Sequence, residues 1–356
     1  MRLGNTVKHS DTLLLMRIIE SPNPRTEFFH DLNEDLLLRL FPLAIKNKVP
    51  LLFLERAINI CTESESLKNL YQAYLEKSRL ALSLVREINR ILNQAQINYV
   101  LFKTFKPFPF VRIDVDIIFF TLEDLEQACY ALRSQGYNLA GYGAFSITLY
   151  SPKHNMNVDL HLEIAVSRLV YIDKQLLQDY VTEFNMDGDR ILVFEPSATL
   201  ATVIAHSLYK EQMFTLSDYY ETNIRMSNMT EPQRRSLVSL AEHAHVEFSI
   251  KAGLMLVDAL TKVAFKKTVP AITETAQMIH VSEIEERTIQ LLLGHFVKNV
   301  RLPYKYHPIA IGVAFIMKAF RDPIMRATLT HQFVEMITNT SYFLESTLLH
   351  MRRETY

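Results

Sequence analysis

Hydrophobic and polar residues follow two different periods along the chain, and each period predicts a different kind of element. From residue 1 to about 95, apolar positions recur every three or four residues, as in Leu84, Ile88 and Ile91, which is the spacing of amphipathic helices. Around residues 98–194 the pattern shortens towards a period of two, which is typical of strands. From Pro196 onward the helical spacing returns.

The central region predicts several strands and one helix. Alternation is clearest over 112–120, and further strands are predicted over 98–102, 145–150, 156–164 and 189–194. The strands over 145–150 and 156–164 are joined by Ser-Pro-Lys-His-Asn, which predicts a hairpin. Thr121 and Asp124 resemble a capping box and predict a helix that ends at Gly136.

These patterns predict an α+β fold with one small mixed β-sheet between two helical regions. The expected division is an N-terminal helical region over 1–95, an α+β core over 96–195 and a C-terminal helical domain over 196–356. In the last region, helices are predicted over 215–227, 231–265, 271–300 and 308–349. Breaks are expected near Pro232, Pro270, Pro303 and Pro323.

Composition narrows the function classes. Hydrophobic residues make up 49% of the chain and the formal net charge is -1, so the overall charge favours neither a nucleic-acid nor a membrane partner. Two distant cysteines argue against a disulfide framework, and no signal peptide or membrane-spanning run is apparent, so we expect a cytoplasmic protein. The eight glycines do not cluster into a phosphate-binding loop or dinucleotide fingerprint.

The sequence Asp114-Val-Asp116 carries the sharpest chemical signal. Residues i and i+2 of a strand point to the same face, so two carboxylates would lie side by side, while Ile113, Val115 and Ile117 would face apolar packing. Such carboxylates repel each other unless a divalent cation lies between them. Taken alone, this pattern favours a solvated edge strand, because two aspartates at this spacing often occur by chance.

A third aspartate changes that balance. Asp159 lies in the middle of a second predicted strand and would complete a two-metal phosphoryl-transfer site if the two strands are neighbours. His161 shares its face and fits either a residue that supports the metal ligands or a hydrogen-bonded sheet histidine. For Glu163, further along, a structural role is favoured.

These motifs resemble the uncharacterised nucleotidyltransferase family of the polymerase-β-like superfamily. The resemblance rests on Lys103-Thr104, on Arg112-Ile-Asp-Val-Asp-Ile117 and on Val158-Asp-Leu-His161, and it extends over roughly residues 35–265. It includes Leu43-Ala-Ile-Lys-Asn-Lys-Val-Pro-Leu-Leu52, which is similar to the family's N-terminal helical signature.

The resemblance implies a role for each matching residue. Asp114, Asp116 and Asp159 would be the catalytic aspartates and would hold Mg²⁺ or Mn²⁺. Lys103 and Thr104 would form the loop that meets the triphosphate, although the family favours glycine where Thr104 stands. Arg112 and Lys210 are the further residues assigned to nucleotide binding.

Three positions outside the strands leave alternatives open. Lys210 lies one turn after His206 and would reach the triphosphate if its helix packs over the sheet, but it is equally well a surface lysine. Asp218 is either a helix cap or a group of the acceptor site. The basic segment 295–326, with interleaved aromatic residues, fits an RNA surface less well than it fits helix ends and a solvated loop.

The leading hypothesis is therefore a Mg²⁺-dependent nucleotidyltransferase that uses an NTP substrate. Its hydroxyl acceptor remains open among a small molecule, a tRNA end and a protein side chain. The alternative is a non-catalytic nucleotide-binding or regulatory protein on the same fold, which the Thr104 departure motivates. A toxin or antitoxin component acting on nucleic acid is a third interpretation, and the near-zero charge gives it no support.

Overall fold

The N-terminal part of the chain is helical, as the periodicity predicts. The computed structural model describes residues 7–20 and 32–338. Two of the first four helices begin at side-chain caps, where Asn33 accepts a hydrogen bond from the N–H of Leu36 and Ser64 accepts one from Leu67. The four helices are α1 (Val7–Glu20), α2 (Glu34–Lys46), α3 (Pro50–Ile60) and α4 (Glu65–Gln94).

A seven-stranded mixed sheet follows, so the predicted α+β fold, with its sheet flanked by helical regions, is confirmed. Its strands are β1 (Val100–Leu101), β2 (Asp114–Ile118), β3 (Asn138–Tyr142), β4 (Ser146–Ser151), β5 (Met156–His161), β8 (Val181–Met186) and β9 (Asp189–Phe194). Their order is β3-β4-β5-β2-β1-β9-β8. β2 runs parallel to β5 and β1 parallel to β9, whereas the other neighbours are antiparallel, including the predicted β4–β5 hairpin.

Smaller elements complete this central region. The helix α5 (Leu122–Ser134) begins where expected, with the Thr121 hydroxyl accepting from the N–H of Asp124. A separate hairpin, β6 (Ile164–Val166) and β7 (Leu169–Ile172), leads to a short 3-10 helix over Lys174–Tyr180.

Five of the eight C-terminal helices described begin at or beside a proline, which fits the first turn of a helix because the N–H groups there have no partner within the helix. They are α6 (Pro196–Tyr209), α7 (Leu216–Asn228), α8 (Glu231–His243), α9 (Glu247–Phe265), α10 (Pro270–Met278), α11 (Glu283–Lys298), α12 (Pro308–Arg321) and α13 (Pro323–Thr338). A two-stranded ladder joins β10 (Met213–Phe214) to β11 (Tyr304–Lys305).

Three predicted helices are each divided in two. The helix predicted over 231–265 breaks between α8 and α9, where His245 has a left-handed φ of 52°. The one predicted over 271–300 divides between α10 and α11, and the one over 308–349 breaks at Asp322. The part of that last prediction beyond residue 338 lies outside the described residues.

One face of the sheet is packed against α4 and α5, and this packing leaves the opposite face for chemistry. Val115, Ile117, Val158 and Leu160 are fully buried in a cluster with residues of these two helices. Ile113 is an exception to the prediction, because it precedes β2 and is 77% exposed. None of the described helices is long and apolar enough to cross a membrane.

Candidate active site

The three aspartates lie on two adjacent parallel strands. Asp116 and Asp159 are paired directly across β2 and β5, and Asp114 stands two residues before Asp116 on the same face. The neighbouring residues Val115 and Val158, which point the other way, are fully buried. The predicted common face of the carboxylates is therefore present, and burial of the opposite face fixes their direction.

The tightest group of possible metal ligands contains a histidine. One ligand atom each from Asp116, Asp159 and His161 lie within 4.8 Å of one another, a spacing that a divalent ion can bridge. Nε2 of His161 lies 2.9 Å from Oδ1 of Asp116, and the hydroxyl of Thr148 donates to Oδ1 of Asp159 at 2.5 Å. Asp114 is on the same face but is not part of this group.

Negative charge is crowded on this face. Burial raises the pKa of Asp114 to about 7, and the nearby charge of Asp116 adds to the effect. Burial acts in the same direction on Asp116, but Lys103 and the His161 hydrogen bond outweigh it and hold the pKa of Asp116 below its usual range. One carboxylate thus stays ionised while its neighbour retains a proton near neutral pH.

Lys103 provides the nearest positive charge. Its ammonium lies 3.3 Å from Oδ2 of Asp116 and 4.5 Å from the centre of the Phe102 ring. The Phe102 ring in turn meets the His161 imidazole edge-on, with ring centres 5.3 Å apart. The backbone of Lys103 is left-handed, with φ of 57°, and this turn brings the side chain back towards β2.

Thr104 is buried beside this turn. Its hydroxyl donates to the carbonyl oxygen of Phe102 at 3.2 Å and lies 3.4 Å from that of Asp116. The left-handed residue of the turn is Lys103, and Thr104 has no positive φ that would call for glycine. The side chain of Thr104 therefore braces the backbone, and its assignment to nucleotide binding stays a prediction.

Arg112 also supports the loop. Its Nε donates to the carbonyl oxygen of Thr104 at 2.7 Å, and its guanidinium lies 4.3 Å from the ring centre of Phe110 and 5.3 Å from that of Phe105. Burial lowers the pKa of Arg112 to about 10. These contacts hold the loop to the strand, and a contact of Arg112 with nucleotide stays a prediction.

The end of α6 approaches the same face. Burial and the charge of Lys103 lower the pKa of Lys210, while Asp116 and Asp159 oppose that shift. Lys210 is half-buried, and Leu208 of its helix lies in the same core cluster as Ile118 of β2. A contact of Lys210 with nucleotide stays a prediction.

His206, one turn earlier on α6, is held inside the protein. Its Nδ1 pairs with the Tyr171 hydroxyl at 2.9 Å, and its Nε2 lies 3.3 Å from Oε1 of Glu211. Burial, followed by the charges of Lys103 and Lys210, lowers the pKa of His206 to about 3, so its imidazole is neutral at neutral pH.

Sequence reasoning missed three polar residues near the carboxylates. Thr148 orients Asp159 from β4, and Lys48 and Glu211 form an ion pair of 3.2 Å. Lys48 lies within the Leu43–Leu52 segment that resembles the family signature. This resemblance was the only feature of the nearby sequence that could have pointed to Lys48. The Lys48–Glu211 pair joins positions 163 residues apart, a separation that no local pattern reveals.

Contacts show the roles of two further polar residues named in the sequence analysis, Asp218 and Glu163. Asp218 forms the capping box of α7, because its carboxylate accepts from the N–H and the hydroxyl of Thr215. Glu163 forms an ion pair with the buried Lys174 at 3.4 Å, in keeping with a structural role.

The basic segment 295–326 has one strongly exposed aromatic residue, Phe320, whereas single-stranded RNA is bound by several aromatic side chains on which successive bases stack. Its interleaved aromatic residues, Phe296, Tyr304 and Tyr306, are all buried in the core. Lys318 is buried as well and forms an ion pair with Asp322 at 2.6 Å.

Comparison with known proteins agrees with the geometry. Residues 39–262 match the family described as uncharacterised nucleotidyltransferase, and this range includes all three aspartates, Lys103 and Lys210. In the same comparisons, no curated protein and no solved structure matches the chain. Because the match covers more than half of the sequence, the chain belongs to the uncharacterised nucleotidyltransferase family.

Proposed function

We propose that the protein transfers a nucleotidyl group from an NTP to a hydroxyl acceptor and requires Mg²⁺ or Mn²⁺. The observation that carries this proposal is the pairing of Asp116 with Asp159 on adjacent strands, with His161 completing a group of ligand atoms within 4.8 Å. Membership of a nucleotidyltransferase family supports the same reaction class.

The donor set fits a divalent cation. Asp116 and Asp159 offer carboxylate oxygens of the kind that Mg²⁺ prefers, and Asp114 lies on the same face for a second contact. The pKa of Asp114, which is raised first by burial and then by the charge of Asp116, is a further indication, since a cation would relieve the second of these effects. The imidazole of His161 suits Mn²⁺ better than Mg²⁺, so we expect Mn²⁺ to be accepted at least equally well.

In the proposed reaction, the acceptor oxygen forms a bond to the α-phosphorus of the NTP. The bond from that phosphorus to the bridging oxygen of the β-phosphate breaks, pyrophosphate leaves with the electron pair, and the acceptor proton passes to water. A bound divalent ion would neutralise phosphate charge and lower the pKa of the attacking hydroxyl.

The residues of this chain would hold the reactants in position. Lys103, 3.3 Å from Asp116, and Lys210, at the end of α6, would supply positive charge for the phosphates. Thr104 would act through its main-chain N–H, since its hydroxyl is directed at backbone carbonyl groups. Arg112 would keep this loop in place through the carbonyl of Thr104.

The acceptor is proposed only as a hydroxyl compound. A small molecule, a tRNA end and a protein side chain all fit the reaction, and a cytoplasmic setting suits each of them. A non-catalytic, nucleotide-binding role was motivated by Thr104 in place of glycine. The buried position of its side chain removes the expected obstruction, which favours the enzyme.

Incubation with α-labelled NTPs tests the proposal and identifies the acceptor class. The protein is supplied with Mg²⁺ or Mn²⁺ and with separate RNA, protein and metabolite fractions of a cell extract. We expect label to enter one fraction from the α-phosphate, and no label to be transferred from the γ-phosphate. Transfer from the γ-phosphate would indicate a kinase and would contradict the proposal.

A further inference from the structure

Lys48 lies at a left-handed turn between α2 and α3, far from the aspartates in sequence. Its φ is 59°, and the turn is closed by hydrogen bonds from the N–H of Lys48 to Ile45 and from that of Val49 to Ala44. Glycine or asparagine normally fills such a position at the end of a helix. Lys266 and Gln96 also take a left-handed φ after helices in this chain, so a role for Lys48 has to come from its contacts and not from its conformation.

The turn is fastened to the C-terminal helical region by Asn47, which is fully buried. The Asn47 side chain donates to the carbonyl oxygen of Leu302 and accepts from the N–H of Leu216, and its own carbonyl accepts from the N–H of Ser217. This anchoring gives the neighbouring Lys48 a fixed position at the junction of the two helical regions.

The Lys48 ammonium lies beside Glu211, the residue that follows Lys210 at the end of α6. It lies 3.2 Å from Oε2 of Glu211, whose other oxygen lies 3.3 Å from His206. Burial alone would lower the pKa of Lys48, but Glu211, Asp218 and Asp114 outweigh it and raise that pKa. The side chain remains 48% exposed, so an anionic ligand can reach it.

We propose that Lys48 is a polyphosphate-binding residue which the N-terminal helical region contributes to the active site, and that the triphosphate replaces Glu211 as the anion that Lys48 contacts. This inference rests on the proposed function. Together with Lys103 and Lys210 it gives three ammonium groups from three separate parts of the chain, which suits the charge of a triphosphate. A purely structural ion pair would not require the lysine to remain exposed.

The test measures binding of inorganic tripolyphosphate in the presence of Mn²⁺ by calorimetry. The Lys48→Met variant is compared with Lys46→Met, which removes the same charge from an exposed lysine that has no ion pair within the described residues. We expect Lys48→Met to weaken tripolyphosphate binding at least about tenfold, as for loss of a charge-assisted hydrogen bond. We expect Lys46→Met to change it less than about twofold, as for loss of an exposed charge.

Two further measurements separate phosphate binding from structural support. Binding of Mn²⁺ alone should be unchanged in Lys48→Met, and Glu211→Gln should bind tripolyphosphate at least as tightly as the unaltered protein, because a competing anion is gone. Circular dichroism checks folding, and Lys48→Arg should retain most of the affinity.

Equal effects of Lys48→Met and Lys46→Met would overturn the inference, and so would a loss of Mn²⁺ binding in Lys48→Met. If Glu211→Gln weakened tripolyphosphate binding as much as Lys48→Met, the ion pair itself would be needed for binding, and the inference would also be overturned. Failure of the unaltered protein to bind tripolyphosphate with Mn²⁺ would instead contradict the proposed function, independently of any variant.

Discussion

Replacing Asp114 by asparagine should stabilise the protein when no divalent ion is present. The pKa of Asp114 is raised to about 7 by burial and by Asp116, so in the folded protein its ionised form is disfavoured. A carboxyl group whose pKa is raised on folding stabilises the folded protein fully at a pH below its unfolded pKa of about 4. This stabilisation is lost as the pH rises through the folded pKa of about 7. Asparagine has a similar shape and stays neutral at every pH, so it avoids that loss.

The size of the effect follows from the shift in pKa. The free energy of unfolding of Asp114→Asn should exceed that of the unaltered protein by less than about 1 kcal/mol at pH 4 and by a few kcal/mol, up to about 4 kcal/mol, at pH 7. Saturating Mn²⁺ should reduce the difference, because a cation at Asp116 and Asp159 offsets the negative charge that Asp114 faces.

Urea unfolding followed by far-ultraviolet circular dichroism measures these differences, with chelator or with Mn²⁺, between pH 4 and pH 7.5. The chain contains no tryptophan, so the helical signal is the better probe. Asp179→Asn is a matched control, because Asp179 is exposed and has no ion pair within the described residues. A difference that is absent at pH 7, or that does not change with pH, would refute the electrostatic reasoning.

Three further outcomes are expected. Asp116→Asn should abolish nucleotidyl transfer in the labelled-NTP assay, and retained turnover would contradict its assignment. Unlike Asp114→Asn, it should also lower the stability of the metal-free protein at pH 7, because the lowered pKa of Asp116 shows that its charge is stabilised in the folded protein. Thr148→Val should weaken Mn²⁺ binding about 10–100-fold in calorimetry, because Asp159 loses the hydroxyl that orients its carboxylate. Unchanged Mn²⁺ binding would argue against a positioning role for Thr148. Glu221→Gln should lower the free energy of unfolding by about 3–5 kcal/mol in urea titrations, because buried Glu221 pairs with both Lys106 and Arg225, and a change below about 1 kcal/mol would be inconsistent with that burial.

The local elements of the site could be predicted from the sequence because their signals are local. The alternation around Asp114 and Asp116 marks β2, and the burial of Val115 and Ile117 confirms its direction. The β4–β5 hairpin and the helix start at Thr121 were predicted for the same reason.

Other features depend on contacts between distant parts of the chain or lack a hydrophobic signal. The parallel pairing of β2 with β5 depends on the whole sheet. From the sequence, the approach of Asp116 to Asp159 could therefore be predicted only on the condition that the two strands are neighbours. The edge strand β3 has no buried residue and therefore no alternation to detect. The Lys48–Glu211 pair arises because α6 and the α2–α3 turn meet in the folded chain.

Calorimetric titration of the protein with NTP, once with Mg²⁺ and once with a chelator, tests the central claim most directly. A triphosphate that entered the site without a cation would face the carboxylates of Asp114, Asp116 and Asp159, and its negative charge would be repelled. We predict measurable binding with Mg²⁺, its loss in chelator, and a similar loss in Asp159→Asn with Mg²⁺ present. Equal NTP affinity with Mg²⁺ and with chelator would contradict the claim that these aspartates hold a metal ion against the triphosphate.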